Sequence, residues 1–115
     1  MLKMPRWEAE VRLIQNVFPQ FVPFTDPGKV AGFRGYIRGP RTGIAYLVII
    51  QVVIRDYPEK EPGIYMDPHP ESHHWITDNR LCYTRQGHVW KPAEDTFAQA
   101  LTLAVKYIVE FDGRG

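Results

Sequence analysis

Apolar residues recur at helical spacing in two stretches of the chain. In the first, Trp7, Val11, Ile14 and Val17 or Phe18 are separated by four, three and three or four positions, which places them on one helical face. The pattern predicts a helix from Arg6 to about Phe18, just before Pro19. The polar residues of this stretch are expected on the solvent side: Arg6, Glu8, Glu10, Arg12 and Gln15.

The second helical stretch lies near the end of the chain. Thr96 is a favourable N-cap residue and Gln99 follows it three positions later, as in a capping box. The apolar residues then fall at spacings of four, three and four: Phe97, Leu101, Ala104 and Ile108. This pattern predicts a packing helix that runs to about Phe111 and stops at Gly113.

Four segments between the helices have the character of β-strands: residues 20–25, 31–38, 45–54 and 62–66. The second alternates, with Phe33 and Ile37 on one side and Arg34 and Tyr36 on the other, which is typical of a half-buried strand. The third is the most apolar run and is rich in β-branched residues. Because short turns join these segments, the sequence predicts an α+β fold with a four-stranded antiparallel sheet. No further strand or helix is predicted between Asp67 and Pro92.

Composition narrows the class of protein. A chain of 115 residues fits a single domain covering residues 1–115. A net charge of +1 gives no electrostatic reason to expect nucleic acid or an anionic membrane surface. No apolar run reaches the ~20 residues of a membrane span, and the first residues lack the apolar core of a signal peptide. The sequence therefore predicts a cytoplasmic protein.

Residues 56–92 hold most of the chemically distinctive side chains. This stretch contains the only cysteine, Cys82, all four histidines and five of the ten prolines. One cysteine cannot form an intramolecular disulfide, so it is expected to be a free thiol. Zinc is an alternative, but only His69 and His73 have a recognisable ligand spacing, and Pro70 opposes the helix that usually presents such a pair. We therefore predict no metal site.

The order of several short motifs resembles that of ubiquitin-conjugating enzymes. That family has a Gly-Pro pair that ends its second strand, a Tyr-Pro pair after its third strand and a proline-rich entry to its fourth. It then has a Leu/Ile-Cys nucleophile and a Trp-Ser-Pro-Ala segment that opens the next helix. The corresponding residues here are Gly39-Pro40, Tyr57-Pro58, Pro62, Leu81-Cys82 and Trp90-Lys91-Pro92-Ala93. The resemblance extends from the first helix to the helix after Cys82 and implies a ubiquitin-conjugating-like fold with an active-site loop.

Two positions depart from the family pattern. Counting back from Cys82, the family's His-Pro-Asn falls on Ser72-His73-His74, so His74 replaces the asparagine, and His69-Pro70-Glu71 lies three residues too early. Thr84 stands where an acidic residue is usual. A compact chain with this histidine resembles the bacterial members of the superfamily, some of which are encoded in conjugation operons linked to anti-phage defence.

The resemblance implies acyl transfer through a thioester. Cys82 would take over a ubiquitin-like protein from an activating enzyme and pass it to an amine on a target protein of unknown identity, without a cofactor. His74 would donate a hydrogen bond to the oxyanion or accept the amine proton. Asp78 would receive or orient a lysine, and His88 would line the cleft. The activating enzyme is expected to contact the first helix, near Arg6 and Arg12.

Two alternatives remain open at this point. The chain is also compatible with a catalytically inactive relative that binds a ubiquitin-like protein or an activating enzyme. A structural subunit with a buried, inert Cys82 is the third interpretation, because a lone cysteine often serves as a small apolar residue.

Overall fold

The computed structural model describes residues 6–68, 76–77, 80–81 and 89–113. Its elements in chain order are helix α1 (Trp7–Val17), strands β1 (Val22–Asp26), β2 (Val30–Arg38) and β3 (Ala45–Val53), a short 3-10 helix (Ile54–Asp56), strands β4 (Gly63–Asp67), β5 (Ile76–Thr77) and β6 (Arg80–Leu81), and helix α2 (Phe97–Phe111). The predicted α+β class is confirmed, with an N-terminal helix, an antiparallel sheet and a C-terminal helix.

The strands form one antiparallel sheet in the order β1-β2-β3-β4-β6-β5. Strands β1 to β4 correspond to the four predicted segments. The prediction of a four-stranded sheet is wrong, because β6 pairs with β4 through Tyr65 and Arg80, and β5 pairs with β6. Each of these added strands has only two residues. A periodic apolar pattern cannot be recognised in two positions, so strands of this length leave no signal in the sequence.

One face of the sheet packs on the helices and the other faces solvent. On β2, Phe33 and Ile37 belong to the core, whereas Arg34, Tyr36 and Arg38 are exposed. This alternation is the one predicted and is usual for an antiparallel sheet that is covered on one side.

Three aromatic rings join α1, β2 and α2. The ring centroids of Trp7 and Phe33 are 5.1 Å apart, those of Phe33 and Phe97 are 5.2 Å apart, and those of Trp7 and Phe97 are 6.0 Å apart. The tilted and edge-on geometries are favourable for aromatic pairs. Since Phe97 is the first residue of α2, this cluster fixes the start of α2 against α1.

Helix α2 has the predicted bounds and cap. The Thr96 hydroxyl accepts a hydrogen bond from the Gln99 backbone N–H at 3.2 Å. Among the described residues, neither α2 nor any other helix has both the length and the apolar composition that crossing a membrane requires.

One expectation for α1 is wrong. Glu10 was predicted on the solvent side, but its side chain is only 2% exposed. It lies three residues after Trp7 and four before Ile14, so it shares the face that packs on the core. Burial of a carboxylate requires compensating donors, and those donors belong to the candidate site.

The C-terminal end of α2 is held by a second buried carboxylate, Asp112. Its Oδ1 accepts hydrogen bonds from the Thr42 and Tyr46 hydroxyls at 2.6 and 2.7 Å, and its Oδ2 accepts from the backbone N–H groups of Arg41 and Thr42 at 2.7 and 3.0 Å. Gly39 lies against this carboxylate with no room for a Cβ atom. Although burial raises the pKa of Asp112, the donated hydrogen bonds prevail and hold it well below its usual range. The turn between β2 and β3 is thereby tied to the end of α2.

We predict that Asp112→Asn destabilises the protein in a pH-dependent way. The folded-state pKa of Asp112 is depressed, so its stabilising contribution is complete above the unfolded-state value of about 3.9 and is lost as the pH falls towards the folded value. Thermal unfolding should show a Tm lowered by roughly 5 °C or more at neutral pH. The difference from wild type should shrink below about pH 4. An equal difference at both pH values would contradict the assigned role.

Candidate functional site

The four predicted catalytic residues lie outside the part of the chain that the structure describes: Cys82, His74, Asp78 and His88. His69 and His73, the pair considered for zinc, lie outside it as well. Within the described residues, no three His, Cys, Asp or Glu side chains are grouped as metal ligands would be. Because every histidine and the cysteine fall outside those residues, the choice between thiol chemistry and a metal site stays a prediction.

The residues that precede Cys82 in the chain are described. Leu81 is only 1% exposed and belongs to the hydrophobic core. Arg80 is exposed and pairs with Tyr65 of β4. It lines a cavity of about 250 Å³ together with Asp56, Lys60 and other residues. The nucleophile predicted at residue 82 is therefore preceded by one core residue and one cation at the rim of a charged cavity.

On the other side of residues 82–88, the chain is fixed by Trp90. The indole Nε1–H of Trp90 donates a hydrogen bond to the backbone carbonyl of Pro58 at 2.7 Å, and its ring centroid is 6.1 Å from that of Tyr57. Tyr57 is 3% exposed and also packs against Phe97, with a centroid distance of 5.0 Å. The two motif segments that bracket Cys82 in the sequence are thus in direct contact.

Tyr57 is also the centre of a buried polar cluster with Arg6 and Glu10. The Tyr57 hydroxyl donates a hydrogen bond to Oε2 of Glu10 and accepts one from Nη2 of Arg6 at 2.9 Å. Oε1 of Glu10 accepts from the Phe97 backbone N–H at 3.0 Å. Nε of Arg6 lies 3.4 Å from Oε2 of Glu10, but it lacks the alignment of a hydrogen bond, so that contact is an ion pair. We call these three side chains the Tyr57 cluster.

Burial shifts the pKa of two members of the Tyr57 cluster. For Glu10, burial raises the pKa and outweighs the Tyr57 hydrogen bond, the Phe97 hydrogen bond and the Arg6 charge, which lower it. For Tyr57, burial and the hydrogen bond to Glu10 raise the pKa well above its usual range. The tyrosine therefore keeps its proton at neutral pH and acts as a donor to the carboxyl group.

Arg6 extends the Tyr57 cluster to the segment after Trp90. Its Nη1 donates to the carbonyl of Pro92 at 2.9 Å, and its Nη2 donates to the carbonyl of Asp95 at 2.6 Å. The Asp95 carboxylate in turn accepts from the Lys91 backbone N–H at 2.8 Å. Arg6 was expected on the solvent side, as part of a surface for an activating enzyme, but its side chain is only 26% exposed and is turned inwards. Arg12, the other expected residue, is exposed.

A groove separates α1 from the edge strand β1. Its volume is about 540 Å³, and its walls include the half-buried apolar residues Trp7, Val11 and Phe24 and the exposed Arg12. The groove lies beside the start of α1, next to Arg6 in the chain. It therefore shares an element with the Tyr57 cluster.

Sequence reasoning did not identify Glu10, Asp95 or Arg6 as members of this region. Glu10 carried a usable signal, since its position three residues after Trp7 puts it on the apolar helical face. Arg6 stands four residues before Glu10, which is the spacing of a helical ion pair. Its contacts with the carbonyls of Pro92 and Asp95, and the contact of Asp95 with the Lys91 N–H, depend on the fold and carried no sequence signal.

Comparisons of this chain with models of known families, with curated proteins and with solved structures each find no match. The resemblance to ubiquitin-conjugating enzymes therefore rests on the residues of the chain alone.

We predict that Tyr57→Phe destabilises the fold by about 1–3 kcal/mol at neutral pH, because it keeps the ring but removes a donor from a buried carboxyl group. The folded pKa of Glu10 lies above its unfolded value, so ionising Glu10 lowers the free energy of unfolding as the pH rises through that pKa. The Tyr57 hydroxyl reduces this effect. The stability lost in Tyr57→Phe should therefore be smaller near or below the ordinary glutamate pKa of about 4.3 than at neutral pH.

Urea unfolding at several pH values measures this difference. Tyr36→Phe is the matched control, because its side chain is 60% exposed on the outer face of the sheet. A loss of stability in Tyr36→Phe as large as in Tyr57→Phe would refute the role assigned to the buried hydroxyl.

Proposed function

We propose that this protein is a conjugating enzyme for a ubiquitin-like protein and that Cys82 carries the acyl group as a thioester. The observation that carries the proposal is the contact of Trp90 with Tyr57-Pro58. These residues belong to the motifs on which the resemblance rests, and 32 positions separate the two hydrogen-bonded residues in the chain. Spacing in a sequence does not require such contact, so their association is independent support for the likeness.

The order of elements adds further support. A helix, a four-strand antiparallel meander, the region of Cys82 and a second helix follow one another as the resemblance implies. Leu81, the residue before Cys82, is buried in the core. A core residue directly before the proposed nucleophile gives the chain a fixed attachment point at Leu81, and fixed attachment favours reproducible approach of the acyl carbon.

The proposed reaction has two steps. The Cys82 thiolate attacks the thioester carbonyl of the charged activating enzyme, forms a new sulfur–carbon bond and expels the thiolate of the activating enzyme. An amine of the target then attacks the Cys82 thioester, and the tetrahedral oxyanion collapses with expulsion of the Cys82 thiolate. The amine loses its proton to a base, and the product is an amide. Asp78 orients the amine and His88 lines the cleft.

His74 is proposed to serve the second step. An imidazole N–H donates a hydrogen bond to an oxyanion, and the loss of one such donor typically reduces the rate by about 10²–10³-fold. Histidine also titrates near neutral pH, so its neutral form is able to accept the amine proton. The donor role is the primary proposal, because the family asparagine occupies this position.

The groove between α1 and β1 is proposed as the surface for the activating enzyme. Its apolar walls suit a partner that offers apolar groups, and the exposed Glu8 and Arg12 in its lining offer one charge of each sign. The modifier is a ubiquitin-like protein, the target protein is unidentified, and the proposed setting is a bacterial cytoplasmic conjugation operon.

A charging assay tests the proposal. The protein is mixed with its activating enzyme, ATP and the ubiquitin-like protein, and the products are separated with and without reductant. We expect a reductant-sensitive adduct in the wild type and no such adduct in Cys82→Ala. Absence of the adduct in the wild type with its true partners would exclude a conjugating enzyme. It would favour the catalytically inactive relative that binds a ubiquitin-like protein or an activating enzyme.

A second variant separates charging from transfer. His74→Ala should accept the modifier at a nearly normal rate and discharge it to lysine about 10²-fold more slowly, since it lacks one oxyanion donor. His69→Ala is the matched control and should discharge normally. Equal loss of charging and discharge in His74→Ala, or slow discharge in His69→Ala, would argue against the assignment.

A further inference from the structure

We infer that Arg6 is a positioning residue for the proposed conjugation reaction, because its guanidinium fixes the chain that follows Cys82 against α1. This role rests on the proposed function. We assign Arg6 a positioning role because its contacts are with the backbone of residues 92 and 95 and with Tyr57.

Arg6 links two distant segments of the chain and is not a simple surface cation; we call this link the Arg6 brace. Two of its nitrogens donate to the carbonyls of Pro92 and Asp95, 86 and 89 positions further along the chain. Its Cζ atom also lies 5.1 Å from the Tyr57 ring centroid, within the range of a cation–π contact. Arg6 therefore reaches three acceptors or rings that no other described side chain brings together.

The braced segment is the continuation of the predicted active-site loop. Residues 82–88 begin after Leu81, which is fixed in the core, and end before Val89 and Trp90, whose indole is fixed on Pro58. Arg6 holds Pro92, two residues beyond Trp90. Arg6 thus adds a second attachment just beyond the one that Trp90 makes on Pro58, on the same side of residues 82–88.

Arginine suits this role better than lysine. The planar guanidinium presents five donors in a rigid fork, whereas an ammonium group is a single compact charge on a flexible stem. Here the fork serves two carbonyls and one hydroxyl at once. A residue that merely supplied positive charge would be replaceable by lysine, and Arg6 is not expected to be.

The consequence for the reaction is a loss of rate without a loss of substrate binding. A displacement of about 1 Å at the reacting atoms is able to reduce a rate by about 10²-fold. Release of the brace should therefore slow attack on the thioester, while the concentration of amine that gives half the maximal rate stays the same.

Single-turnover discharge of the preformed thioester to free lysine tests this role in Arg6→Gln and Arg6→Lys. We expect both variants to discharge at least about tenfold more slowly at saturating lysine, with an unchanged half-saturating lysine concentration. Asp112→Asn is the matched control, since it weakens a buried network at the opposite end of α2, about 22 Å along the helix axis. It should lose thermal stability and discharge at the wild-type rate.

The outcomes separate the two proposals. If the wild type forms no thioester, the proposed function fails and the role of Arg6 fails with it. If the wild type forms the thioester and discharges it to lysine, the proposed function stands. In that case, a folded Arg6→Gln variant that discharges at the wild-type rate overturns the positioning role alone. Equal slowing in Asp112→Asn overturns it too, because the effect would then follow from lost stability. Should Arg6→Gln fail to fold, Arg6→Lys and Tyr57→Phe carry the same test, with slower discharge expected in each.

Discussion

The hydrogen bond from the Tyr57 hydroxyl to the buried Glu10 carboxyl group is the constraint on which this part of the structure depends. A carboxyl group that is 2% exposed must find donors inside the protein. Two donors meet this need, the Tyr57 hydroxyl after β3 and the Phe97 backbone N–H at the start of α2, and the charge of Arg6 before α1 adds an ion pair. Satisfying one polar group therefore brings three elements to a common point and fixes their mutual distances.

Helix α2 is held by a carboxyl group at each end, and the helix dipole acts on these two groups in opposite directions. Glu10 accepts from the Phe97 N–H at the N-terminus, where the helix dipole favours negative charge. Asp112 lies at the C-terminus, where the dipole disfavours it, and it accepts three hydrogen bonds from the turn between β2 and β3 and one from Tyr46 of β3. Burial raises the pKa of both carboxyl groups; at Asp112 the donated hydrogen bonds prevail and depress the pKa, whereas at Glu10 burial prevails. The fold thus fixes α2 from both ends, and only the N-terminal fixing involves the candidate site.

The sequence predicted those features that depend on periodicity. The apolar repeats defined α1 and α2, and alternation defined β2 with Phe33 inside and Tyr36 outside. It failed where structure depends on long-range partners. Strands β5 and β6 are too short to show a period, and Glu10 was assigned to solvent because glutamate is usually exposed. For the candidate site, the motifs of the resemblance included Tyr57 and Trp90, whereas the contacts of Arg6 with backbone carbonyls depend on the fold and no pattern reveals them.

The motif residues that are described all serve packing rather than chemistry. Tyr57, Pro58 and Trp90 form one contact region, and Leu81 is buried in the same hydrophobic core as Tyr57. An inactive relative needs this framework as much as an enzyme does, because the same contacts stabilise the fold in either case. The framework therefore supports the family likeness without distinguishing the two functions. The distinction depends on whether Cys82 forms a thioester, because the framework contacts are the same in an enzyme and in an inactive relative.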